Sequence, residues 1–384
     1  MNILLSTWKN PYSAERVGGA ETSIRLIAEK LARNGHRVVY LTTSAKRGHR
    51  EEARKVGVQL EEVSALRGSK YKIVTQARRL LYQPKVAKLV KKNEIDLIYC
   101  TYELPILEAA LKVRDRERSV RVIMRMAGMR WIDRKDSLDT LPRFVKAFNA
   151  VDGINYISEG VRELTAKAAE EAGCGCFDGN DRVLDIGSST IVSRSKSYGA
   201  LSERPFRVIM AARFADYAKR QDLLIRAAAL IPSSLPIQVE LIGGGSELSA
   251  MKNLAIELGV QERVIFTGFL DQTSLWDRYE KSHIMCHAAD YEGLGKVIIE
   301  AMAKGLPVLS SDVSPMNKYI TDGENGFLVP NTPEDWSSRI QKLYHHRKHL
   351  AQVSSRSMSF ASLHFDPDIQ IKNYETYFEQ VLKS

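Results

Sequence analysis

The sequence predicts an α/β protein in which parallel sheets are covered by helices. Short apolar runs alternate with amphipathic stretches from one end of the chain to the other, a pattern typical of successive strand and helix units. A length of 384 residues exceeds that of one ordinary domain, so we expect two domains that each bury a core. Hydrophobic periodicity is lost over 187–205, where Ser, Arg and Lys dominate, and this segment is the expected domain boundary.

The first half begins with a predicted strand at 2–7 and a loop at 8–17. The Gly18-Gly19 pair then opens a helix, which ends at Gly35, a residue type typical of helix ends. A second helix is predicted over 159–172. The remaining strands expected in this half are 37–43, 96–100, 120–126, 153–157 and 182–186.

The second half repeats the alternation of strands and helices. After 333 the chain is predicted to be helical to about 349, followed by a Ser-rich break and a final amphipathic helix from 369 to 382. The strands expected in this half are 206–211, 237–242, 264–267, 283–286 and 308–310.

Composition indicates a globular protein that works in a reducing cytoplasm. Hydrophobic residues make up 44% and charged residues 27%, and we find no apolar run long enough to span a bilayer and no signal peptide. The four cysteines are scattered, as expected for a cytoplasmic chain. Cys174-Gly175-Cys176 could bind a metal or sense redox state, but no second Cys or His pair follows at zinc spacing.

The net charge of +10 is concentrated in one segment. Residues 68–93 contain eight lysines and arginines and no acid, interleaved with apolar residues, which predicts one or two basic amphipathic helices broken at Pro84. Such a surface suits an anionic membrane or an acidic acceptor, and the alternative is a solvated helix face. We expect no nucleic-acid partner, because no nucleic-acid-binding motif is present.

The stretch 290–308 has the pattern of a ligand site. A polar loop that contains Gly293, Leu294 and Gly295 leads into an apolar helix, and two acids, Glu292 and Glu300, stand eight positions apart across that junction. If the helix begins near Gly295, Glu300 lies about 8 Å further along its axis. Small residues let backbone N–H groups approach a ligand, and a helix N-terminus favours an anion. A sugar, a diphosphate and a ribose would fit this order.

Two cations and two glycine pairs could complete such a site. Arg213 and Lys219 follow a strand and could neutralise a diphosphate without a metal, although an ordinary basic loop is the alternative. The Gly18-Gly19 and Gly243-Gly244 pairs each follow a strand, where glycine permits either a phosphate contact or a simple turn. Dinucleotide binding is disfavoured, because the full Gly-x-Gly-x-x-Gly spacing is missing.

Two further patterns are weaker. Asp366-Pro367-Asp368 matches a metal-binding Asp-x-Asp by letter, but Asp368 is better explained as the N-cap of the last helix. His283 and His287 lie at the two ends of one predicted strand, which argues against zinc and leaves open a functional role for one of them.

These residues resemble the retaining, metal-independent glycosyltransferases of the GT-B type, and family 4 in particular. The pair Glu292-x7-Glu300 matches the acidic signature of that family, and residues 305–308 match the Gly-x-Pro-Val that follows it. The likeness covers most of the chain and is strongest in the second half. Other segments that match in order are 18–21, 213–219, 222–227, 241–247, 264–268 and 322–329.

The resemblance implies a fold and a domain plan. Two Rossmann-like domains would carry parallel sheets that face each other across a cleft. Residues 1–195 would form the acceptor-side domain and residues 196–365 the nucleotide-sugar-binding domain. The last helix, 366–384, would pack back on the first domain.

The resemblance also implies roles for single residues. Arg213 and Lys219 would hold the diphosphate, and Glu300 would bind the ribose hydroxyls. Glu292 would contact the donor sugar together with the backbone amides of 293–295. The glycines would line the donor, with Gly243 and Gly244 in the second domain and Gly18 and Gly19 in the first.

One position departs from the family pattern. Many members place a histidine at the end of the strand that here spans 120–126, where Arg125 is the nearest polar residue. Arg125 could therefore bind an anionic sugar, an acceptor or a phosphate. The interval from Arg213 to Lys219 is one residue longer than the family suggests, which would make the loop bulge.

The expected function is the transfer of a sugar from a nucleotide diphosphate sugar, with UDP favoured, to a hydroxyl of a glycan or lipid-linked acceptor. No metal or other cofactor is expected, and the location would be the cytoplasm or the inner face of the plasma membrane. An epimerase or phosphorylase on the same scaffold is one alternative. A non-enzymatic basic scaffold that binds membranes or nucleic acid is another.

Overall fold

The computed structural model divides the chain into two compact units. Unit 1 comprises Met1–Ile186 and Pro367–Ser384, and unit 2 comprises Gly187–Asp366. The structure describes residues 1–13, 19–63, 72–128, 140–171, 179–184, 205–214 and 218–384. Residues 187–204 of the expected boundary segment, the Cys174/Cys176 pair and Gly18 lie outside the described residues.

Unit 1 is a parallel sheet of seven strands flanked by helices, with strand order β3-β2-β1-β4-β5-β6-β7. Its elements are β1 (Asn2–Ser6), α1 (Gly19–Arg33), β2 (Arg37–Thr42), α2 (Arg47–Lys55), β3 (Val58–Glu62), α3 (Lys72–Asn93), β4 (Leu97–Thr101), α4 (Leu104–Arg114), β5 (Arg121–Met126), α5 (Thr140–Phe148), β6 (Gly153–Tyr156), α6 (Glu159–Glu171) and β7 (Asn180–Val183), with the last helix of the chain, α14 (Pro367–Lys383).

Unit 2 is a parallel sheet of six strands with order β10-β9-β8-β11-β12-β13. Its elements are β8 (Phe206–Ala211), α7 (Gln221–Leu230), β9 (Ile237–Ile242), α8 (Leu248–Glu257), β10 (Val264–Gly268), α9 (Gln272–Lys281), β11 (Ile284–His287), α10 (Lys296–Ala303), β12 (Val308–Ser311), α11 (Met316–Tyr319), β13 (Phe327–Val329), α12 (Pro333–His345), a 3₁₀ turn (Arg347–His349) and α13 (Leu350–Phe365).

These sheets form because the central strands are apolar on both faces. In β4 and β12 every residue is buried, as expected for parallel strands covered by helices on both sides. Helix α1 packs with a stripe of Ile24, Ile27 and Leu31, spaced three and four positions apart. The prediction of parallel sheets covered by helices in two Rossmann-like domains is confirmed.

The last helix is part of the core of unit 1. The buried face of α14 comprises Ile371, Tyr374, Tyr377, Phe378 and Val381, which pack with residues from β1, β2 and α1. Two tyrosine hydroxyls also donate to carbonyls at the edge of the sheet: Tyr374 to Leu184 at 3.0 Å and Tyr377 to Asn180 at 2.8 Å. The aromatic side chains therefore bind the last helix by both packing and hydrogen bonds.

Several local predictions were wrong. The Ser-rich stretch expected as a break is helix α13, because Ser354 and Ser357 lie on its buried face and the Ser354 hydroxyl donates to the Gly305 carbonyl at 2.6 Å. Asp368 is not an N-cap: it lies in the first turn of α14 and pairs with Lys30. Helix α3 continues through Pro84, which removes one N–H donor without ending the helix.

The basic segment folds largely as helix α3. Within its described side chains, Lys85 pairs with Glu61 at 2.8 Å and Lys91 pairs with Glu117 at 3.3 Å. Among the helices described, none combines the length and the apolar character needed to cross a membrane.

Candidate active site

Both sheets have a topological switch point, where the strand order reverses direction. In unit 2 it lies between β8 and β11, and ligands of open α/β sheets bind beyond the carboxyl ends of the strands at such a point. Arg213 follows β8, and Glu292 follows β11. The topology therefore places the predicted diphosphate and sugar residues at the edge where a ligand is expected.

Lys219 is fixed against the loop that follows β11. Lys219 and Ala289 form an isolated antiparallel bridge. On either side of it, the Arg220 N–H donates to the Ala288 carbonyl at 3.0 Å, and the Asp290 N–H donates to the Ala218 carbonyl at 2.9 Å. This backbone pairing holds the Lys219 side chain beside Glu292.

Lys219, Glu292 and His287 form a compact hydrogen-bonded cluster. The Lys219 ammonium donates to Oε2 of Glu292, and Nε2 of His287 lies 3.1 Å from the same oxygen. The distance from Nζ of Lys219 to Nε2 of His287 is 3.5 Å. Oε1 of Glu292 accepts the N–H of Gly293 at 2.9 Å. Both carboxylate oxygens are thus held in place.

Contacts within the cluster shift the ionisation of Glu292 and His287. Burial opposes ionisation of Glu292, but the hydrogen bond from His287 and the Lys219 ammonium outweigh it and hold the pKa of Glu292 well below its usual range. Burial, together with the charge of Lys219, lowers the pKa of His287. At neutral pH Glu292 is therefore a carboxylate that accepts hydrogen bonds, and His287 is a neutral imidazole.

The loop after Glu292 delivers backbone amides to the same place. Gly295 caps α10 with a φ of +72°, a conformation that favours glycine, and the Tyr319 hydroxyl donates to the Leu294 carbonyl at 2.8 Å. The first N–H groups of a helix have no partner within the helix. Gly293, Leu294 and Gly295 therefore lead into a helix end that suits an anion.

Glu300 lies within α10 as predicted, as the fifth residue of the helix. Its side chain is buried, and Oε1 accepts the side-chain N–H of Gln272 at 3.2 Å. Gln272 is the first residue of α9, so the amide group at this carboxylate comes from a different helix. A buried carboxylate with a neutral neighbour suits the binding of hydroxyl groups.

The glycine loop after β9 packs against the chain that follows β8. The Gly243 N–H donates to the Gly268 carbonyl at 2.8 Å, and the Phe214 N–H donates to the Gly244 carbonyl at 3.1 Å. Gly243 has a φ of +143°, and a Cβ there would lie 2.0 Å from the Ala212 carbonyl oxygen. Gly244 has open space around its Cα. Gly243 is thus required by the backbone, whereas Gly244 leaves room for a ligand.

The remaining predicted residues differ in their surroundings. Arg213 is exposed, and its carbonyl accepts the side-chain N–H of Gln221 at 3.0 Å. In unit 1, Gly19 is the first residue of α1. Arg125 is 1% exposed in β5, opposite Thr101 and Asn155 in the neighbouring strands.

Two members of the site were missed or only partly anticipated from the sequence. The sequence places His287 at a strand end five residues before Glu292, and this spacing is the available signal for their contact. Gln272 carried no motif, because its proximity to Glu300 arises only from the packing of α9 against the sheet. Among the described residues, no group of three or more His, Cys, Asp or Glu side chains could hold a metal ion.

Solved structures share this fold over nearly the whole chain. Sucrose-phosphate synthase from Thermosynechococcus elongatus matches with a TM-score of 0.80 and 18% identity, covering 100% of this chain and 99% of that one. Anabaena HepE in complex with UDP and glucose matches with a TM-score of 0.77 and 20% identity, covering 99% of this chain and 100% of that one. The chain therefore has the GT-B fold of glycosyltransferases.

Sequence comparisons define the family. The model for Glycosyltransferase Family 4 matches residues 17–170, and the model for Glycosyl transferases group 1 matches residues 194–359. An uncharacterised glycosyltransferase of Methanocaldococcus jannaschii is 24% identical over 362 residues, 87% of this chain and 86% of that protein. A D-inositol 3-phosphate glycosyltransferase of Mycobacteroides abscessus is 34% identical over 131 residues, 33% of this chain and 29% of that protein. The chain belongs to the family 4 glycosyltransferases.

The two glycines after β9 give a matched pair for a stability test. Gly243→Ala should lower the free energy of unfolding by about 3 kcal/mol, since the new Cβ meets a carbonyl oxygen and φ is positive. Gly244→Ala should change it by less than about 0.5 kcal/mol, since the space is open. Urea denaturation followed by circular dichroism measures both, and equal effects would contradict the packing described.

Proposed function

We propose that this glycosyltransferase transfers a sugar, with retention and without a metal, from a UDP-sugar to a hydroxyl of a glycan or lipid-linked acceptor. The process served would be the synthesis of a cell-surface polysaccharide or glycoconjugate. The observation that carries the proposal is the cluster of Lys219, Glu292 and His287, which stands beside the amino end of α10 at the switch point of unit 2.

The donor would be bound by groups that match its parts. Lys219 and the exposed Arg213 supply positive charge for the diphosphate, together with the N-terminus of α10. Glu300 would accept the ribose hydroxyls further along the same helix. Glu292 would accept hydroxyls of the transferred sugar, since it is ionised and keeps lone pairs beyond those used by its protein partners.

The chemistry requires stabilisation of the leaving diphosphate more than a protein acid or base. As the bond between the anomeric carbon and the phosphate oxygen breaks, negative charge grows on the diphosphate, and fixed cations lower the free energy of that state. The departing phosphate oxygen would take the proton of the acceptor hydroxyl as the new glycosidic bond forms on the same face. Glu292 cannot act as a general acid here, because the cluster keeps it ionised.

The choice of UDP draws on two solved relatives of the fold. Anabaena HepE was solved with UDP and glucose, and the pneumococcal O-GlcNAc transferase GtfA was solved with UDP and GlcNAc. A panel of UDP-, GDP-, ADP- and TDP-sugars at equal concentration would identify the donor directly, because the ligand with the lowest dissociation constant raises the melting temperature most.

Two substitutions test the donor site. Glu300→Ala and Lys219→Ala should each weaken binding of UDP about 10- to 100-fold, because each removes a charged hydrogen-bonding group. Isothermal titration measures the dissociation constant, and NMR of the product gives the anomeric configuration in the wild-type reaction. Unchanged affinity in both variants would refute the assignment of the site, and an inverted product would refute retention.

Glu262→Ala is the matched control for these variants. Glu262 is exposed and lies beyond α8, away from the switch point. Its removal should leave the affinity for UDP within about twofold of wild type. A loss as large as that of Glu300→Ala would point to a general effect of charge instead of a local contact.

We further propose that helix α3 binds an anionic membrane surface in the cytoplasm. Leu80 is 78% exposed and Leu81 43% exposed, and Lys88 and Lys92 are exposed on the same helix. Exposed apolar residues combined with lysines suit the interface of a membrane that contains acidic lipids.

Co-sedimentation with lipid vesicles tests the membrane proposal. The protein should bind vesicles that contain phosphatidylserine more tightly than pure phosphatidylcholine vesicles, since each lysine near the surface adds about 1 kcal/mol. Lys88→Glu combined with Lys92→Glu should abolish the difference. Equal binding of wild type to both kinds of vesicle would contradict the proposal.

A further inference from the structure

His287 is a buried polar residue whose contacts go to the candidate donor site. It is the last residue of β11 and is 1% exposed. Nε2 of its ring lies 3.1 Å from the Glu292 carboxylate and 3.5 Å from the Lys219 ammonium. Nδ1 is buried and has no hydrogen-bond partner among the residues that the structure describes. The ring is therefore engaged through one nitrogen, which points at the site.

The chemistry of the partners defines which ring nitrogen carries the proton. An ionised carboxylate can only accept hydrogen bonds, so Nε2 must be the donor in its contact with Glu292. The Lys219 ammonium has no acceptor capacity, so it does not compete for this proton. The neutral ring thus carries its proton on Nε2 and leaves Nδ1 as an unprotonated acceptor.

The backbone of His287 is better fixed than that of Glu292. His287 belongs to a strand that pairs with β12, where its register partner is Ser310. Glu292 lies in the loop between β11 and α10, and its carboxylate is held by the side chains of Lys219 and His287 and by the Gly293 N–H. Groups that bind substrate need neighbours that lock their orientation, and rigid elements provide this better than loops.

We propose that His287 is a positioning residue, which holds the Glu292 carboxylate toward the transferred sugar through an Nε2–H hydrogen bond. This inference rests on the proposed function. The Lys219 ammonium would have two partners, since it pairs with Glu292 and would also bind the donor diphosphate. When the ammonium is shared with the diphosphate, the histidine remains as the neutral partner that keeps Glu292 in place. Lys219 would then bind the leaving diphosphate, and His287 would orient the carboxylate that binds the sugar.

Three substitutions separate this role from simple core packing. The amide nitrogen of Gln can reach the position of Nε2, whereas Asn is too short to reach it and Leu has no donor. His287→Leu and His287→Asn should lower kcat/KM for the UDP-sugar by about 10- to 100-fold. His287→Gln should stay within roughly threefold of wild type. Affinity for UDP alone, which lacks the sugar, should change by less than about threefold in all three variants.

The pH profile gives a second readout that packing alone would not move. The hydrogen bond from His287 lowers the pKa of Glu292, so its loss raises that pKa. A reaction that needs ionised Glu292 should then lose activity at a higher pH on the acid side in His287→Leu than in wild type. In the part of the chain that the structure describes, Lys219 and Glu292 are the charged groups in contact with the ring, and both are retained in this variant.

The outcomes distinguish the inference from the proposed function. Full activity in His287→Leu, or equal losses in the Gln and Leu variants, would overturn the positioning role while leaving the donor site intact. An equal loss of UDP affinity in all three variants, with lowered melting temperatures, would show a structural role and would also overturn it. Failure of the wild-type protein to bind UDP or any other nucleotide sugar would instead refute the proposed function.

Discussion

The ionised carboxylate of Glu292 imposes the main physical constraint on the site, because a largely buried charge must be matched by nearby donors. Lys219, His287 and the Gly293 amide supply them from three different parts of unit 2. Each supplier depends on a separate structural feature: a backbone bridge to Ala289, the end of strand β11 and the loop before α10. The local fold of unit 2 can therefore be understood as the means of bringing these donors to one carboxylate.

The order of the strands explains why residues more than seventy positions apart meet at this point. Strands β8 and β11 are neighbours in the sheet although β9 and β10 lie between them in the sequence. Beyond the carboxyl ends of β8 and β11 the chain continues in opposite directions along the sheet. This divergence leaves a crevice at the switch point. Arg213 and Lys219 come from the segment after β8, and Glu292 comes from the segment after β11. Unit 1 has the equivalent reversal between β1 and β4.

The sequence predicted the fold class, the family and every described strand except β3 and β13, because each of these depends on local pattern. Apolar runs locate strands whatever their neighbours, and Glu292-x7-Glu300 with its glycines is a contiguous motif. The wrong or missing predictions concern features that tertiary packing determines. Ser354 is a polar residue, yet it is helical and buried because its hydroxyl donates to the Gly305 carbonyl. Gln272 contacts Glu300 only because α9 packs beside it. The position of His287 at a strand end could be predicted from the sequence. Its contact with Glu292 could not, because no sequence pattern shows that the loop turns back toward β11.

We infer that a neutral histidine and a lysine together hold an ionised Glu292 in the candidate donor site. The most direct measurement is NMR of the imidazole nitrogens in protein labelled with ¹⁵N-histidine, with His287→Gln used to assign the signals. The structure predicts that at neutral pH His287 is neutral and protonated on Nε2, and that saturation with a UDP-sugar leaves this tautomer unchanged. An imidazolium, or a ring protonated on Nδ1 alone, would contradict the account, because neither could form the described cluster as a neutral Nε2–H donor.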